Sequence, residues 1–282
     1  MRQPTPRSLI VDLLSTLRRG SMPVAALCQA AALFEIADGS VRVALHRLQA
    51  DGRVESDERG QYRLAAAAAP VQAVVAGWRD LDRRTRAWSG RWIAVHGDGT
   101  RRSRSRIDPA ARALQLFGFE SLVAGLWVRP ANLREGVDGV RGRLRELGLP
   151  AAALVYELGE LDPETDANAR SLWDGDALVR AYRAARREIE ASSARLPGLP
   201  EAEAMVESFR LGGRVLQQLV LDPLLPAPLV DERERRALVE SMRAYDRLGR
   251  NAWASFLGRF GVPHRTAPAD TRWVAEDFAR TA

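Results

Sequence analysis

A short polar stretch near the N-terminus carries side chains suited to contacts with a nucleic acid. Ser40, Arg42, Val43, His46 and Arg47 are spaced so that, on a helix, they avoid the apolar positions between them. An arginine guanidinium can donate two hydrogen bonds to a guanine edge or to a phosphate. These outward side chains are therefore candidates to enter a major groove of DNA.

Such residues need a helix whose other face packs against a core, and residues 40–50 supply one. Val41, Ala44, Leu45 and Leu48 recur there at helical spacing. Two short alternating segments, 53–56 and 61–64, follow around a turn at 57–60 that carries Arg59, a further candidate for DNA contact. A helix followed by a hairpin is typical of a winged helix, a fold that reads DNA.

Two earlier apolar stretches supply the helices that must support this one. Residues 6–17 repeat leucine and isoleucine at helical spacing, and residues 23–34 follow Ser21, which we expect to cap that helix, with Pro23 in its first turn. In a helix-turn-helix the first two helices hold the third, whose N-terminal part enters the groove. The alternative is an ordinary small helical domain with an exposed hairpin.

Composition constrains the class of protein. The chain has 282 residues, of which 46% are hydrophobic, which favours two or three domains with packed cores. All 42 basic residues are arginines, and the formal net charge is +6. This balance favours a polyanionic partner, but it does not distinguish DNA from RNA or from a phosphorylated ligand.

The cysteine count and the terminal segment indicate where the protein works. Cys28 is the single cysteine, so an intramolecular disulfide is impossible and a metal cluster is not expected. No signal sequence is evident, and no apolar run approaches the roughly 18 residues that a membrane span requires. We therefore expect a cytoplasmic protein without a cofactor, a metal or a membrane partner.

The pattern predicts an α+β protein with an N-terminal winged helix, a central ferredoxin-like domain and a C-terminal α-helical domain. The winged helix takes residues 1–66, and a connecting helix takes 67–84. Residues 85–162 alternate strands and helices as βαββαβ, a ferredoxin-like order. The predicted strands are 91–96, 119–123, 126–128 and 152–158, and the predicted helices are 109–117 and 133–147.

From Leu172 onward no further strand is expected, and residues 163–282 are predicted to form an α-helical domain. The helical candidates are 176–194, 201–221, 231–248, 251–260 and, less regularly, 271–280. Proline-rich segments at 196–200 and 222–228 separate them. Trp88, Trp92, Trp127 and Trp173 are expected in a core or a domain interface, because large aromatic side chains dominate burial.

Two features of the central domain allow other interpretations. Cas2-like folds can be metal-dependent nucleases, and Asp98 follows the first strand where such an enzyme carries a carboxylate. Asp98 lies alone between two glycines, so a turn is the plainer interpretation. The arginine-rich run at 101–106 could contact phosphates of DNA or of coenzyme A, or could form a solvated loop. No phosphate-binding glycine loop and no catalytic grouping is present, so the chain is not expected to be an enzyme.

Several motifs, in their order and spacing over nearly the whole chain, resemble the PaaX-type transcriptional regulators. They are Ser40-Val41-Arg42-Val43-Ala44-Leu45-His46-Arg47-Leu48, Trp88-Ser89-Gly90-Arg91-Trp92, Gly118-Phe119 before Gly125-Leu126-Trp127-Val128, Leu172-Trp173-Asp174 and Leu221-Asp222-Pro223-Leu224-Leu225-Pro226. The resemblance implies that the ferredoxin-like domain at 85–162 is Cas2-like and that the helical domain at 163–282 serves effector binding and dimerisation. It further implies a homodimer that binds double-stranded operator DNA and represses phenylacetate catabolic genes until phenylacetyl-coenzyme A binds.

The resemblance also directs attention to arginines of the helical third. Arg183, Arg186, Arg210 and Arg214 lie beside apolar helix positions and could pair with the phosphates of an acyl-coenzyme A effector. The alternative is that they only solvate helix surfaces. The sequence departs from the family before the Asp222 loop, where a histidine and an arginine are usual and residues 211–218 instead include Gly212 and Gly213.

Overall fold

A computed structural model describes residues 3–16, 21–57, 59–97 and 109–263, and shows an α+β protein with two small antiparallel sheets. The Cα positions group into two compact units. Unit 1 comprises residues 1–65, 192–212 and 244–282, and unit 2 comprises residues 66–191 and 213–243. The four predicted domains stay an interpretation, and the compact units divide the helical third between them.

The N-terminal segment has three helices and a three-stranded sheet. The helices are α1 (Pro6–Thr16), α2 (Val24–Ala32) and α3 (Asp38–Ala50), and the strands are β1 (Met22–Pro23), β2 (Val54–Ser56) and β3 (Gln61–Leu64). The strand order is β1-β3-β2. The predicted third helix and hairpin are confirmed, with α3 beginning two residues earlier than expected.

The sequence predicted that Ser21 caps α2 and that Pro23 lies in its first turn, and this prediction was wrong. Pro23 lies in β1, opposite Gln61 of β3, and takes the N-cap position of α2 with extended φ and ψ angles and no side-chain cap. Pairing with a strand nearly 40 residues further on therefore outweighs the preference of proline for a first helical turn. The short strand adds an edge to the hairpin.

The predicted connecting helix is broken into short pieces. Helix α4 (Ala69–Ala76) and helix α5 (Leu81–Arg84) flank a 3-10 segment at Gly77–Asp80. Val74, Trp78 and Leu81 are buried, so this connection packs against its surroundings along one side. The expectation of one continuous helix was wrong in this respect.

A four-stranded antiparallel sheet forms the middle of unit 2. Its elements are β4 (Trp92–His96), α6 (Pro109–Leu116), β5 (Glu120–Val123), β6 (Leu126–Pro130), α7 (Gly136–Glu146) and β7 (Leu154–Leu158). The strand order is β5-β6-β4-β7, with every neighbour antiparallel. All four strands and both helices that the sequence predicts are present, and no end differs from the prediction by more than three residues.

Long helices form most of the remainder. They are α8 (Pro163–Arg170), α9 (Gly175–Arg195), α10 (Glu201–Val220) and α11 (Glu232–Arg259). The sequence missed α8, although Asp162 caps it by accepting hydrogen bonds from the backbone N–H groups of Glu164 and Thr165. The two helices expected at 231–248 and 251–260 are one continuous helix, which passes through Gly249 and Arg250 without a break.

Each unit has its own apolar core. In unit 1 the buried faces of α1, α2 and α3 pack with Met205, Trp253 and Phe256, and Phe34 meets Phe209 edge to face with ring centroids 5.1 Å apart. In unit 2, Trp92 is fully buried, stacks with Trp173 at 6.1 Å and meets Trp88 edge to face. Three of the four tryptophans expected in a core or interface therefore share one cluster.

Candidate nucleic-acid interface and arginine clusters

The five candidate side chains of α3 all lie on its exposed face. Val41, Ala44, Leu45 and Leu48 are buried on the opposite face. Ser40, Arg42, Val43, His46 and Arg47 are exposed, and 52% of the surface of Val43 is accessible to solvent. An exposed aliphatic residue between two exposed arginines is a surface able to contact base edges and thymine methyl groups.

Helix α3 is held at its C-terminal end by polar contacts. Arg7 of α1 donates to the carboxylate of Asp51, just after α3, at 2.6 Å. Gln49 Nε2 donates to Ser56 Oγ of β2 at 2.9 Å. These contacts join α3 to a neighbouring helix and to the hairpin, so the exposed face is presented by a well-supported element.

The hairpin turn is organised by one aspartate. Asp57 Oδ1 accepts hydrogen bonds from the backbone N–H groups of Arg59 and Gln61, both at 2.9 Å. Gly60 has a φ of +71°, a left-handed conformation that glycine adopts without steric cost. The turn thereby presents Arg59 to solvent, while Arg63 of β3 pairs with Glu55 at 2.9 Å.

The charges of this surface are open to an external partner. Within the part of the chain that the structure describes, Arg42, Arg47 and Arg59 take part in no ion pair, whereas Arg7 and Arg63 do. A guanidinium without an internal carboxylate keeps its donors for an outside acceptor such as a phosphate or a guanine edge. The structure thus places all six candidate DNA-binding residues at the surface of unit 1, five on α3 and Arg59 on the turn.

The four arginines proposed from the sequence to bind an effector do not converge. Arg183 donates to Glu234 at 2.8 Å, and Arg186 lies within 4.0 Å of the same carboxylate. Arg214 pairs instead with Glu188, which lowers the pKa of that carboxyl. Arg210 belongs to unit 1, where its guanidinium lies 5.5 Å from the centre of the Phe34 ring.

A buried arginine that the sequence did not single out holds the proline-rich loop at 222–226. Arg129 is 1% exposed and donates to the backbone carbonyls of Phe117 and, at 3.3 Å, Pro223. It also donates to Asn132 Oδ1 at 3.1 Å, and Asn132 in turn donates to Leu224 O at 2.7 Å. Burial lowers the pKa of Arg129.

A second buried arginine binds the same loop from α11. Arg235 donates to Leu225 O at 2.9 Å and lies 3.8 Å from the carboxylate of Asp222. Asp222 also accepts the backbone N–H of Leu224 at 2.7 Å. Burial raises the pKa of Asp222, and the nearby Arg235 opposes that shift. The motif at 221–226 was the feature of the sequence that pointed to this loop. The arginines that bind the loop could not be identified from it, because they lie in other segments of the chain.

The other sequence candidates are scattered over the structure or lie outside the described residues. His46 and His96 are exposed on different units, and no group of three potential metal ligands occurs in residues 3–16, 21–57, 59–97 and 109–263. Cys28 is a buried free thiol. Asp98, His264, the arginine-rich run at 101–106 and the helix expected at 271–280 lie outside the described residues. Among the helices that are described, none is both long and apolar enough to span a membrane.

Comparisons with known proteins agree with this α+β architecture. Residues 5–68, which hold α1 to α3 and the hairpin, match the family described as PaaX-like protein, and this confirms the resemblance drawn from the sequence over that segment. The uncharacterised protein Rv0674 from Mycobacterium tuberculosis has a similar fold, with a TM-score of 0.53, 22% identity and coverage of 88% of this chain and 98% of that one. A comparison with curated proteins gives no match.

Proposed function

We propose that this protein is a ligand-responsive transcriptional regulator that binds double-stranded DNA through α3 and the hairpin. The observation that carries the proposal is the exposed face of α3, on which an exposed valine is flanked by two arginines that form no ion pair with any described residue. The match of residues 5–68 to PaaX-like proteins supports the same role.

The proposal assigns a role to each part of the chain. Residues 1–66 form a winged helix and 67–84 connect it to the next domain. Residues 85–162 form a ferredoxin-like, Cas2-like domain, and the order β5-β6-β4-β7, which a βαββαβ unit gives, supports the ferredoxin-like part of this proposal. Residues 163–282 serve effector binding and dimerisation, and the protein acts in the cytoplasm.

Recognition of DNA would then divide between bases and backbone. Arg42 and Arg47 are placed to donate to guanine edges, and Val43 to contact a thymine methyl group. Ser40 and His46 lie beside them, while Arg59 on the hairpin turn is placed for a phosphate.

The proposal is tested by titrating the purified chain with DNA from upstream of its own coding sequence and with a scrambled duplex. Equal affinity for both duplexes would contradict specific binding.

We expect the protein to be a homodimer on a two-fold-related site. One winged helix buries too little surface for nanomolar specificity, and two would read half-sites about one helical turn apart or a multiple of it. Light scattering should give twice the 31.1 kDa mass of one chain at micromolar concentration. A mass of one chain, both with and without DNA, would contradict the dimer.

We further expect an aryl-acetyl-coenzyme A thioester to release the DNA, which would make the protein a repressor of phenylacetate-type catabolic genes. Arg183, Arg186 and Arg214 would have to exchange their carboxylate partners for phosphates, and Arg210 would leave its place over Phe34. Reversing a 99:1 equilibrium takes about 5.5 kcal/mol of differential affinity.

Calorimetry with phenylacetyl-coenzyme A, phenylacetate and coenzyme A tests this effector. The thioester should bind most tightly, because it alone offers both an acyl group and phosphates. Equal binding of coenzyme A and the thioester would indicate a regulator with a different effector.

A further inference from the structure

Unit 2 contains an arginine-lined cleft that no part of the proposed function uses. The cleft has a volume of about 360 Å³ and lies between the end of α5, the segment after β6 and the start of α11. Its charged lining residues are Asp82, Arg86, Arg134, Glu232, Arg235 and Arg236. We call it the arginine cleft.

Both carboxylates of the arginine cleft already have arginine partners. Asp82 lies 3.7 Å from the guanidinium of Arg243, which follows Arg236 by about two turns of α11. Glu232 lies 3.4 Å from Arg235 and also accepts the backbone N–H of Ala227 at 3.1 Å. The lining therefore carries four guanidinium groups against two carboxylates, and Asp82 Oδ1 has no hydrogen-bond partner among the described residues.

Three of the four lining arginines have no such partner. Across the described ranges, Arg86, Arg134 and Arg236 form no ion pair. Arg134 donates its Nε to the carbonyl of Thr85 at 2.9 Å, which fixes the side chain and leaves its terminal nitrogens available. Three like charges gathered in one concavity repel each other, and an anion bound between them would relieve that repulsion.

The fourth arginine is fixed in place. Arg235 is 2% exposed, and its Nη1 donates to Leu225 O at 2.9 Å. Its Nε is buried and has no hydrogen-bond partner among the residues that the structure describes. A buried donor left unsatisfied costs free energy, so a ligand or a water that supplies an acceptor is favoured here.

We propose that the arginine cleft binds the phosphate group of a small molecule. A phosphate offers several oxygens to guanidinium forks approaching from different directions, which suits three unpaired arginines better than a single carboxylate does. The concave shape and the buried Arg235 favour a small ligand over the convex backbone of a duplex. The proposal concerns ligand binding by unit 2 and does not depend on whether α3 binds DNA.

The test is calorimetry on the full chain without DNA, using inorganic phosphate, pyrophosphate and ADP as probes. The double variant Arg86→Ala/Arg236→Ala removes two exposed side chains of the cleft, and Arg145→Ala/Arg187→Ala removes the same charge from exposed positions of α7 and α9. At least one probe should bind the parent chain. Its affinity for the cleft variant should be lower by at least about tenfold, and its affinity for the control variant should equal that for the parent chain.

The three probes distinguish the source of the phosphate. Tightest binding of inorganic phosphate or pyrophosphate indicates a free anion, and tightest binding of ADP indicates an organic phosphate. No binding by any probe, or the same loss in both variants, would overturn the proposal. If only DNA affinity falls in the cleft variant, the arginines contact the duplex and the small-molecule site is wrong. If the parent chain binds phosphate in the cleft but shows no specific binding to DNA, only the proposed function is contradicted.

Discussion

The double variant Arg42→Ala/Arg47→Ala should lose specific DNA binding while the protein stays folded. Each arginine that is bidentate to a guanine contributes about 1–3 kcal/mol of discrimination, so the two together should weaken binding by roughly two orders of magnitude or more. Both side chains are exposed and have no ion partner within the described residues, so their loss leaves the core of unit 1 intact. Fluorescence anisotropy with a labelled upstream duplex measures the change.

The single variants separate base reading from backbone contact. Loss of a base contact should relax selectivity at one base pair, whereas loss of a phosphate contact should weaken all sequences alike and reduce the salt dependence. Arg187→Ala, on α9 of unit 2, is the charge-matched control and should leave affinity unchanged. Unchanged affinity in the double variant would remove α3 from the interface.

Local patterns predicted α3 well because they suffice to orient a helix. The spacing of Val41, Ala44, Leu45 and Leu48 determines which face is buried, and the remaining side chains must then face solvent. The same reasoning identified the strands of the four-stranded sheet, whose apolar runs are bounded by turns. The strand β1 could not be found this way, because Met22 and Pro23 become a strand only by pairing with β3.

The contacts that fix the loop at 222–226 could not be predicted from local sequence. Arg129 and Asn132 reach Pro223 and Leu224 across more than 90 residues, and nothing in their own segment indicates that an arginine there is buried. The arginine cleft likewise draws on three separated segments. From their charge alone, arginines at such positions would be expected to lie on the surface in contact with water. Only the tertiary structure shows which of them have carboxylate partners.

The variant Gly118→Ala should lower the free energy of unfolding by about 3–5 kcal/mol. Gly118 has a φ of +66°, a conformation that costs an alanine about 1–2 kcal/mol. A Cβ there would also lie 2.4 Å from the Cα of Pro223, so the loop must move. Moving it disturbs the hydrogen bonds from Arg129 to Pro223 and from Asn132 to Leu224, and each buried group left unpaired costs about 1–3 kcal/mol.

Gly125→Ala is the matched control, because it isolates the backbone contribution. Gly125 has a φ of +80°, and a Cβ there meets no atom within 4 Å, so only the conformational cost of about 1–2 kcal/mol applies. Chemical denaturation of both variants measures the difference. A clearly larger loss at Gly118 shows that the packing of the 222–226 loop against the segment after α6 stabilises unit 2. Equal losses would show that the loop yields at little cost, and that the buried contacts of Arg129 and Asn132 contribute little to stability.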